Sequence, residues 1–478
     1  MKFPTTLIPT AGLLLPPTLS MKSLLKTIAL LSAFANPLTA DHTSSIAWFE
    51  SAMKGGKKVG EDIIVPLADL EKTKNSVFDS YKKAAVNQDL GKQFPAPNIW
   101  GPPSENNREL KSSRFHIAEG LDMPYLAVQR GKRPTNGWPL TIAMHGGGGT
   151  GDKLANPHAW PVNSREWKAQ INLAIKYYPT DMIYFVPRMV DDNQGRWWKE
   201  FNHTAFTAMI RHAILFWDVD PNRIYMLGIS EGGYGTETLA CRYPDRLAAA
   251  NGMACGSGTS IHVENLRNLP FRTDVGEKDT MFKRQPNAVA KHKLLEELRK
   301  ADPKGYENHL EVYEGRGHGI DYRPGPKWMV QKTRTPHPDR VTYTLFEHDK
   351  VKNKGAYWIE ALNDLNKKVI KLDARIDSKR NIISIDARAT IKDEAVQAAD
   401  WQQPLTDPGE TKAASGLKLR LWLHDKLLDL DKPIKIRING KTVKTDKVTP
   451  SLGTMQESLM QFGDPEFIYP AQLEVVVP

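Results

Sequence analysis

The fold is decided by a stretch in the middle of the chain, RIYMLGISEGGYGTETLACRY, residues 223–243. Residues 224–227 are an apolar run typical of a buried strand, and residues 234–243 are compatible with a helix. Between them, Ser230 lies in a Gly-x-Ser-x-Gly pattern. A strand that turns at once into a helix leaves no room for side chains beside the serine, so glycine is needed at 228 and 232. We therefore expect the Ser230 hydroxyl to stand exposed at the sheet edge, facing the positive end of a helix.

A second apolar run, residues 139–144, leads into the loop HGGGG at residues 145–149. A glycine-rich loop at a strand end presents backbone N–H groups that can hold an oxyanion. We expect the N–H groups of Gly147 or Gly148, together with that of Glu231, to have this role. The loop also matches G-x-G-x-x-G, but a loop-like, proline-bearing segment follows where a nucleotide-binding helix should open. The sequence therefore implies no nucleotide cofactor.

Two later predicted strands are each followed by a titratable side chain. Asp279 lies just past the end of the first of these strands. A carboxylate at this position can reach the edge of the sheet where Ser230 lies. Asp274 and Glu277 are alternatives, although Asp274 should still lie within the strand. His318 follows the second strand and is flanked by glycines, which let its loop approach Ser230. The order of these elements is Ser, Asp, His, with the glycine loop before the serine.

In this order, the elements over residues 115–325 resemble the α/β-hydrolase superfamily. The run VDPNRIY at residues 219–225 resembles secreted carboxylesterases of the feruloyl-esterase and poly(3-hydroxybutyrate)-depolymerase type. The resemblance implies that Ser230 is the nucleophile, His318 the general base and acid, and Asp279 the carboxylate that orients the imidazole. It implies hydrolysis of carboxylic esters, small or polymer-linked, with no metal ion or cofactor. The acidic residue Glu231, directly after the serine, is a departure from the family pattern. Its charge would repel anionic acyl groups.

Two other functions stay open at this point. The same triad serves peptidases that resemble prolyl oligopeptidase, which usually carry a large propeller domain. Residues 41–112 are too few for such a domain. The second alternative is a non-catalytic, polymer-binding protein, against which the intact triad argues.

An aromatic and basic loop follows the predicted strand at residues 182–186. It leaves the carboxyl edge of the sheet, where open α/β folds bind ligands. We expect Trp197 or Trp198 to stack on a ring of the substrate and Arg188 to hold a carboxylate. The alternative is that the two tryptophans anchor the loop.

Composition and patterning predict an exported protein of two main domains. Hydrophobic residues are 40%, charged residues are 25% and the net charge is +10, yet no basic run is interleaved with aromatics, so nucleic acid is excluded as a partner. A signal peptide is predicted at residues 1–40, with its true start at Met21 and cleavage after Ala35 or Ala40. Its apolar core is too short for stable membrane insertion. The destination is periplasmic or extracellular.

The predicted fold class is α/β, a doubly wound and mostly parallel sheet, followed by an antiparallel β-sandwich. Helices are expected at residues 44–54 and 67–86, and a hairpin around Asn439-Gly440. The C-terminal domain either contacts a polysaccharide or stabilises the catalytic domain. The predicted boundaries are 1–40 for the signal, 41–112 for an N-terminal helical extension, 113–332 for the catalytic domain and 333–478 for the β-sandwich.

Overall fold

The computed structural model describes residues 37–56, 62–101, 110–148, 161–193, 195–257, 262–363, 369–390 and 411–478. The predicted signal core and the cleavage site at Ala35 lie outside these ranges, and Ala40 falls within the first helix. Eight α-helices are described, which we number α1 (Pro37–Met53), α2 (Leu70–Asn87), α3 (Pro161–Lys176), α4 (Glu200–Phe216), α5 (Glu231–Arg242), α6 (Arg284–Ala301), α7 (Pro324–Met329) and α8 (Leu452–Phe462). Short 3-10 turns occupy Leu67–Asp69, Leu90–Lys92, Val263–Asn268, Met281–Lys283 and Pro465–Phe467.

The larger sheet has nine strands. They are β1 (Asn98–Trp100), β2 (Ser113–Ala118), β3 (Leu121–Arg130), β4 (Trp138–Met144), β5 (Met182–Pro187), β6 (Val219–Ile229), β7 (Ala249–Met253), β8 (Phe271–Gly276) and β9 (Asn308–Tyr313). Their order is β1-β3-β5-β4-β6-β7-β8-β9, and β2 pairs with β3. From β5 to β9 all neighbours are parallel, whereas β3 is antiparallel to both β2 and β5. The predicted strands at residues 139–144, 182–186 and 224–227 are confirmed as parts of β4, β5 and β6.

Helices cover both faces of this sheet. On one face α4, α5 and α6 bury side chains such as Phe206, Leu239 and Leu295 against the strands. On the other face α3 and α7 contribute Ile175 and Met329. Because helices cover both faces, β4 and β5 are buried along their whole length. This burial explains why their sequences are almost continuously apolar. The carboxyl ends of the parallel strands are left at one edge, where loops can build a site.

The C-terminal strands form two further sheets. The strands are β10 (Arg340–His348), β11 (Val351–Asn353), β12 (Gly355–Ala356), β13 (Ile359–Ala361), β14 (Ile370–Asp377), β15 (Ile382–Thr390), β16 (Thr411–Ala413), β17 (Lys418–Leu423), β18 (Ile434–Ile438), β19 (Lys441–Asp446) and β20 (Ala471–Val476). Seven strands form a sheet of order β11-β10-β14-β15-β18-β19 with β16 beside β15, and four form a sheet of order β12-β13-β17-β20. Apolar side chains from both sheets enter one hydrophobic core.

The prediction of an antiparallel sandwich holds only in part. The predicted hairpin is confirmed, because β18 and β19 are joined by Asn439 and Gly440, which have φ angles of 49° and 82° as a type I′ turn requires. However, β15 and β18 are parallel. The long connection between them contains β16 and β17, and this length lets the chain return in the same direction.

Helix α8 and the two N-terminal helices complete the C-terminal core. Sequence reasoning missed α8, which begins at a serine N-cap, Ser451, and ends at Gly463 in the left-handed conformation. Helices α1 and α2 confirm the predicted N-terminal helices, and their side chains Phe49 and Tyr81 lie in the same hydrophobic core as the C-terminal sheets. The N-terminal extension therefore packs on the end of the chain most distant from it in sequence.

Buried polar contacts join the α/β part to the β part. Arg334, at the start of the β part, donates to Oδ1 of Asn222 at 3.0 Å and to the carbonyl of Asp245 at 2.8 Å, while its buried side chain pairs with Asp464 at 2.7 Å. The carboxylate of Asp245 accepts the backbone N–H of Tyr357, whose hydroxyl donates to the carbonyl of Pro244 at 2.6 Å. A buried charge that loses its partner costs several kcal/mol, so neither part is suited to stand alone.

Truncation after residue 333 is expected to give insoluble protein, or a soluble fraction whose Tm is lower by about 10 °C or more. The cut removes the partners of Asp245 and of the apolar side chains of α2 at once. Soluble yield and thermal melting of residues 41–333 against the full chain check this. A soluble, active fragment with an unchanged Tm would show instead that the β part is a binding module, and the predicted polysaccharide contact would become the leading role for it.

Candidate active site

Ser230 lies on a strained turn between β6 and α5. Its φ and ψ angles are 54° and −113°, a region that residues with a side chain rarely occupy. A Cβ atom at Gly232 would overlap the carbonyl oxygens of Met144 and His145, and one at Gly228 would overlap the backbone of Gly232. The structure thus confirms the reason for both glycines. The turn ends with the Ser230 side chain at the carboxyl edge of the sheet.

Ser230, His318 and Asp279 form a hydrogen-bonded chain. Nδ1 of His318 lies 2.7 Å from Oδ2 of Asp279, and Nε2 lies 3.0 Å from Oγ of Ser230. A carboxylate only accepts hydrogen bonds, so Nδ1 carries the proton of the neutral imidazole. Nε2 is then the acceptor for the serine hydroxyl. This places an acceptor for the serine proton within direct reach of Ser230 Oγ.

The carboxylate of Asp279 is buried and held on both sides. Oδ1 accepts a hydrogen bond from Arg284 at 3.1 Å, while Oδ2 faces His318. Sequence reasoning missed Arg284, because nothing in the pattern distinguishes it from any arginine at the start of a helix. The two alternative acids have other partners: Asp274 is buried against Arg272 at 2.7 Å, and Glu277 accepts the N–H of Gly315. Of the three candidates, the structure brings Asp279 to the histidine.

The glycine loop lies against the serine turn. Gly147 and Gly148 have φ angles of 99° and 119°, which glycine adopts without strain. The N–H of Gly148 donates to Oδ1 of Asn163 at 3.0 Å, and Nδ2 of Asn163 returns a hydrogen bond to the Gly148 carbonyl. Among the described residues, the N–H groups of Gly147 and Glu231 have no partner. The geometry therefore favours Gly147 over Gly148 as the second oxyanion donor, and Asn163 as the side chain that fixes the loop.

His145 shapes this loop. It is fully buried, and its Nε2 accepts the N–H of Met189 at 2.9 Å. Nδ1 therefore carries the proton and donates to the carbonyl of Gly146. Burial lowers the pKa of His145 to about 3, so the ring stays neutral and is not the general base.

Two of the three predicted substrate contacts need correction. Trp197 is 0% exposed, and its indole N–H donates to the carbonyl of His145 at 3.1 Å. Arg188 is 2% exposed and pairs with the buried Asp192 at 2.8 Å. Both side chains point into the core and anchor the loop, which is the alternative left open for the tryptophans. Substrate contact by Trp198, which is half-buried, stays a prediction.

Glu231 carries an unusual charge next to the nucleophile. Its side chain is buried and lies 3.2 Å from Arg196. Burial raises the pKa of Glu231 to about 7, and the nearby guanidinium groups of Arg196 and Arg284 oppose this rise only in part. The carboxyl therefore changes charge near neutral pH, beside an N–H that is a candidate oxyanion donor.

Glu231→Gln is expected to change the pH dependence of activity. Below about pH 6 Glu231 is protonated and neutral, so the variant and the natural protein should have similar kcat/KM. As pH rises through about 7 the carboxylate forms and opposes the oxyanion, so the ratio of variant to natural kcat/KM should climb about 5- to 10-fold, equivalent to about 1–1.4 kcal/mol. Arg196→Gln is the matched control: loss of this guanidinium should raise the pKa of Glu231 further, so the pH at which the ionised carboxylate begins to oppose the oxyanion should move upward. A ratio that stays flat from pH 5 to 9 would contradict the assignment.

Known structures similar to this chain include esterases and a peptidase. A thermostable esterase is 23% identical with a TM-score of 0.34, over 47% of this chain and 63% of its own. A ferulic acid esterase is 13% identical with a TM-score of 0.32, over 44% of this chain and 91% of its own. A putative dipeptidyl aminopeptidase IV from Bacteroides ovatus is 16% identical with a TM-score of 0.32, over 48% of this chain and 36% of its own.

These similarities concern less than half of the chain in each case, and this chain spans less than two thirds of the thermostable esterase and of the peptidase. Comparison with protein-family models gives no match, and comparison with curated proteins gives none either. Within the described ranges, no helix has both the length and the apolar character to cross a membrane.

Proposed function

We propose that this protein is a serine hydrolase that cleaves carboxylic esters through an acyl-enzyme on Ser230. One observation carries the proposal: the chain Ser230–His318–Asp279, with distances of 3.0 Å and 2.7 Å, built on a turn that is strained at the serine. Strain of this kind is retained where function needs it. Esterases are among the similar structures, but the proposal rests on the geometry of Ser230, His318 and Asp279.

In the first half-reaction, Ser230 Oγ bonds to the ester carbonyl carbon while its proton passes to Nε2 of His318. The carbonyl electron pair moves to oxygen, and the resulting oxyanion accepts hydrogen bonds from the N–H groups of Gly147 and Glu231. Asp279 holds the imidazole in the required tautomer and stabilises the imidazolium. When the intermediate collapses, the carbon–oxygen bond to the alcohol breaks and His318 donates the proton to the leaving oxygen.

In the second half-reaction, water attacks the acyl-enzyme and gives a proton to His318. The second tetrahedral intermediate uses the same two N–H donors. Its collapse returns the proton to Ser230 and releases the carboxylic acid. The ionised Glu231 stands next to the oxyanion, so neutral acyl groups should be preferred over anionic ones.

A panel of esters tests the reaction class. Purified full-length protein is assayed with acetyl, feruloyl and 3-hydroxybutyryl esters, with a dipeptide amide as the peptidase substrate and Ser230→Ala as the control. The proposal expects hydrolysis of at least one ester that depends on Ser230, at a rate well above that of the amide. Cleavage of the amide alone would favour the peptidase alternative. Failure on all four substrates would contradict both.

We also propose that the protein is exported, from the sequence pattern of residues 21–40. N-terminal sequencing of protein recovered outside the cytoplasm should begin at residue 36 or 41. Recovery only in the cytoplasm with the leader intact would contradict export.

A further inference from the structure

A cavity of about 330 Å³ lies between the α/β part and the β part, away from the serine. It is lined by α4, the segment after α5, the turn between β11 and β12, and the end of α8. Helix α5 begins next to Ser230 and ends at Arg242, which lines the cavity. Twelve helical residues span about 18 Å, so the cavity is separate from the catalytic edge of the sheet.

Most of the charged side chains that line the cavity are cationic. Among the described residues, its only carboxylate is that of Asp245. The cationic side chains on its walls are Arg211, Arg242, Arg246, Lys352 and Lys354. The volume is at the lower end of the range for small-molecule sites.

Two of the arginines are fixed in place by neutral acceptors. Arg211 donates to the carbonyls of Met460 and Gln461 at 3.1 Å and 3.4 Å, and Arg246 donates to the carbonyl of Phe462. These carbonyls belong to the last turn of α8. They orient the guanidinium groups, and the carboxylate of Asp245, 3.9 Å from Nε of Arg246, supplies one counter-charge. Arg211 and Lys354 have no carboxylate within ion-pair distance among the described residues.

Burial dominates the pKa values of the two other titratable groups in the cavity wall. The pKa of His203, which also lines the cavity, is lowered to about 4 by burial and by the charges of Arg242 and Arg246. The pKa of Asp245 is raised, because burial outweighs the arginines beside it. His203 is therefore neutral at pH 7 and adds no charge to the cavity wall.

Apolar side chains complete the walls. They come from Ile210, Tyr243, Tyr343 and Phe462. The two lysines are exposed at the mouth, whereas Arg242 is buried deeper. We propose that this cavity is a binding site for a small organic anion, one whose carboxylate or phosphate group meets the arginines and lysines while its apolar body contacts the tyrosines. Such a ligand would touch both parts of the molecule and so strengthen their association.

Titration calorimetry on the full-length protein tests the proposal, with inorganic phosphate and citrate as probes and sodium chloride at matched ionic strength as the reference. We expect saturable binding of one anion per chain. The double variant Lys352→Gln/Lys354→Gln should weaken binding at least tenfold, since it removes two charges from the mouth. The control Lys412→Gln/Lys418→Gln removes two equally exposed lysines of the β part that lie outside the cavity, and should bind as the natural protein does.

Thermal melting separates specific binding from general salt effects. Phosphate stabilises many proteins without binding to a site. A rise in Tm that is reduced in the Lys352/Lys354 variant and retained in the Lys412/Lys418 control supports the site. Ester hydrolysis should be unchanged in both double variants, so the outcome is independent of the catalytic proposal. Absence of saturable binding, or equal affinity in the two double variants, would overturn the inference.

Discussion

Replacement of Ser230 by alanine is expected to lower kcat for ester hydrolysis by about 10⁵- to 10⁶-fold, because loss of a triad nucleophile leaves only the oxyanion donors and binding. The fold should survive, since the hydroxyl bonds to an exposed histidine and contributes little to packing. Circular dichroism and a Tm within about 2 °C of the natural protein would show this. Activity within tenfold of the natural protein would contradict the assignment of the nucleophile.

Ser230→Gly is a matched control for the strain at this position. Glycine adopts a φ angle of 54° without the cost that a side chain incurs there, which is of order 1–3 kcal/mol. The glycine variant should therefore be as inactive as the alanine variant and yet melt at a higher temperature. A glycine variant that is less stable than alanine would show that the strain is not present in solution.

The second large effect is expected for Asp279→Asn. An amide at this position can donate to Nδ1 of His318, which favours the tautomer that cannot accept the serine proton. We expect kcat to fall by about 10³- to 10⁴-fold with little change in KM. Steady-state kinetics on an ester substrate measure both parameters.

Glu277→Gln is the control for this prediction. Glu277 lies two residues before Asp279 and its carboxylate accepts the N–H of Gly315, not a proton of His318. Its replacement should change kcat by less than about threefold. A large loss in Glu277→Gln combined with a small loss in Asp279→Asn would show that the wrong acid faces the histidine.

The serine turn was predictable because its requirements are local. Gly228 and Gly232 are needed by steric contacts within a few residues of Ser230, so the pattern and its reason are both visible in the sequence. Asp279 was predictable from a strand boundary: β8 ends at Gly276, which leaves Asp279 in the loop at the serine edge. In each case the information lies along one short segment of chain.

Side-chain direction in the aromatic loop was not predictable. Trp197 and Arg188 follow a strand at the correct edge of the sheet, and the sequence does not show that the carbonyl of His145 and the carboxylate of Asp192 draw both side chains inward. The same limit hid Asn163, whose partner Gly148 lies in another loop, and Arg284, which contacts Asp279 only because of the short turn between them. The direction of each side chain depends on the folded loop around it, which the sequence pattern does not specify.

The organisation of the C-terminal part shows the same limit on a larger scale. Hairpin chemistry at Asn439-Gly440 predicted β18 and β19, but the parallel pairing of β15 with β18 depends on how a long connection folds back. The packing of α1 and α2 into the C-terminal core joins residues more than 300 positions apart, as in the hydrogen bond between Ser45 and Gln456. No local pattern specifies such a contact.

Covalent labelling with a fluorophosphonate tests the central claim most directly, because this class of probe needs an activated serine. Intact mass should show one adduct per chain, and tryptic mapping should place it on the peptide of residues 224–242, at Ser230. The adduct should be absent in Ser230→Ala and slow to form in Asp279→Asn. No adduct on the folded natural protein, or an adduct at another residue that persists in Ser230→Ala, would contradict a catalytic role for Ser230.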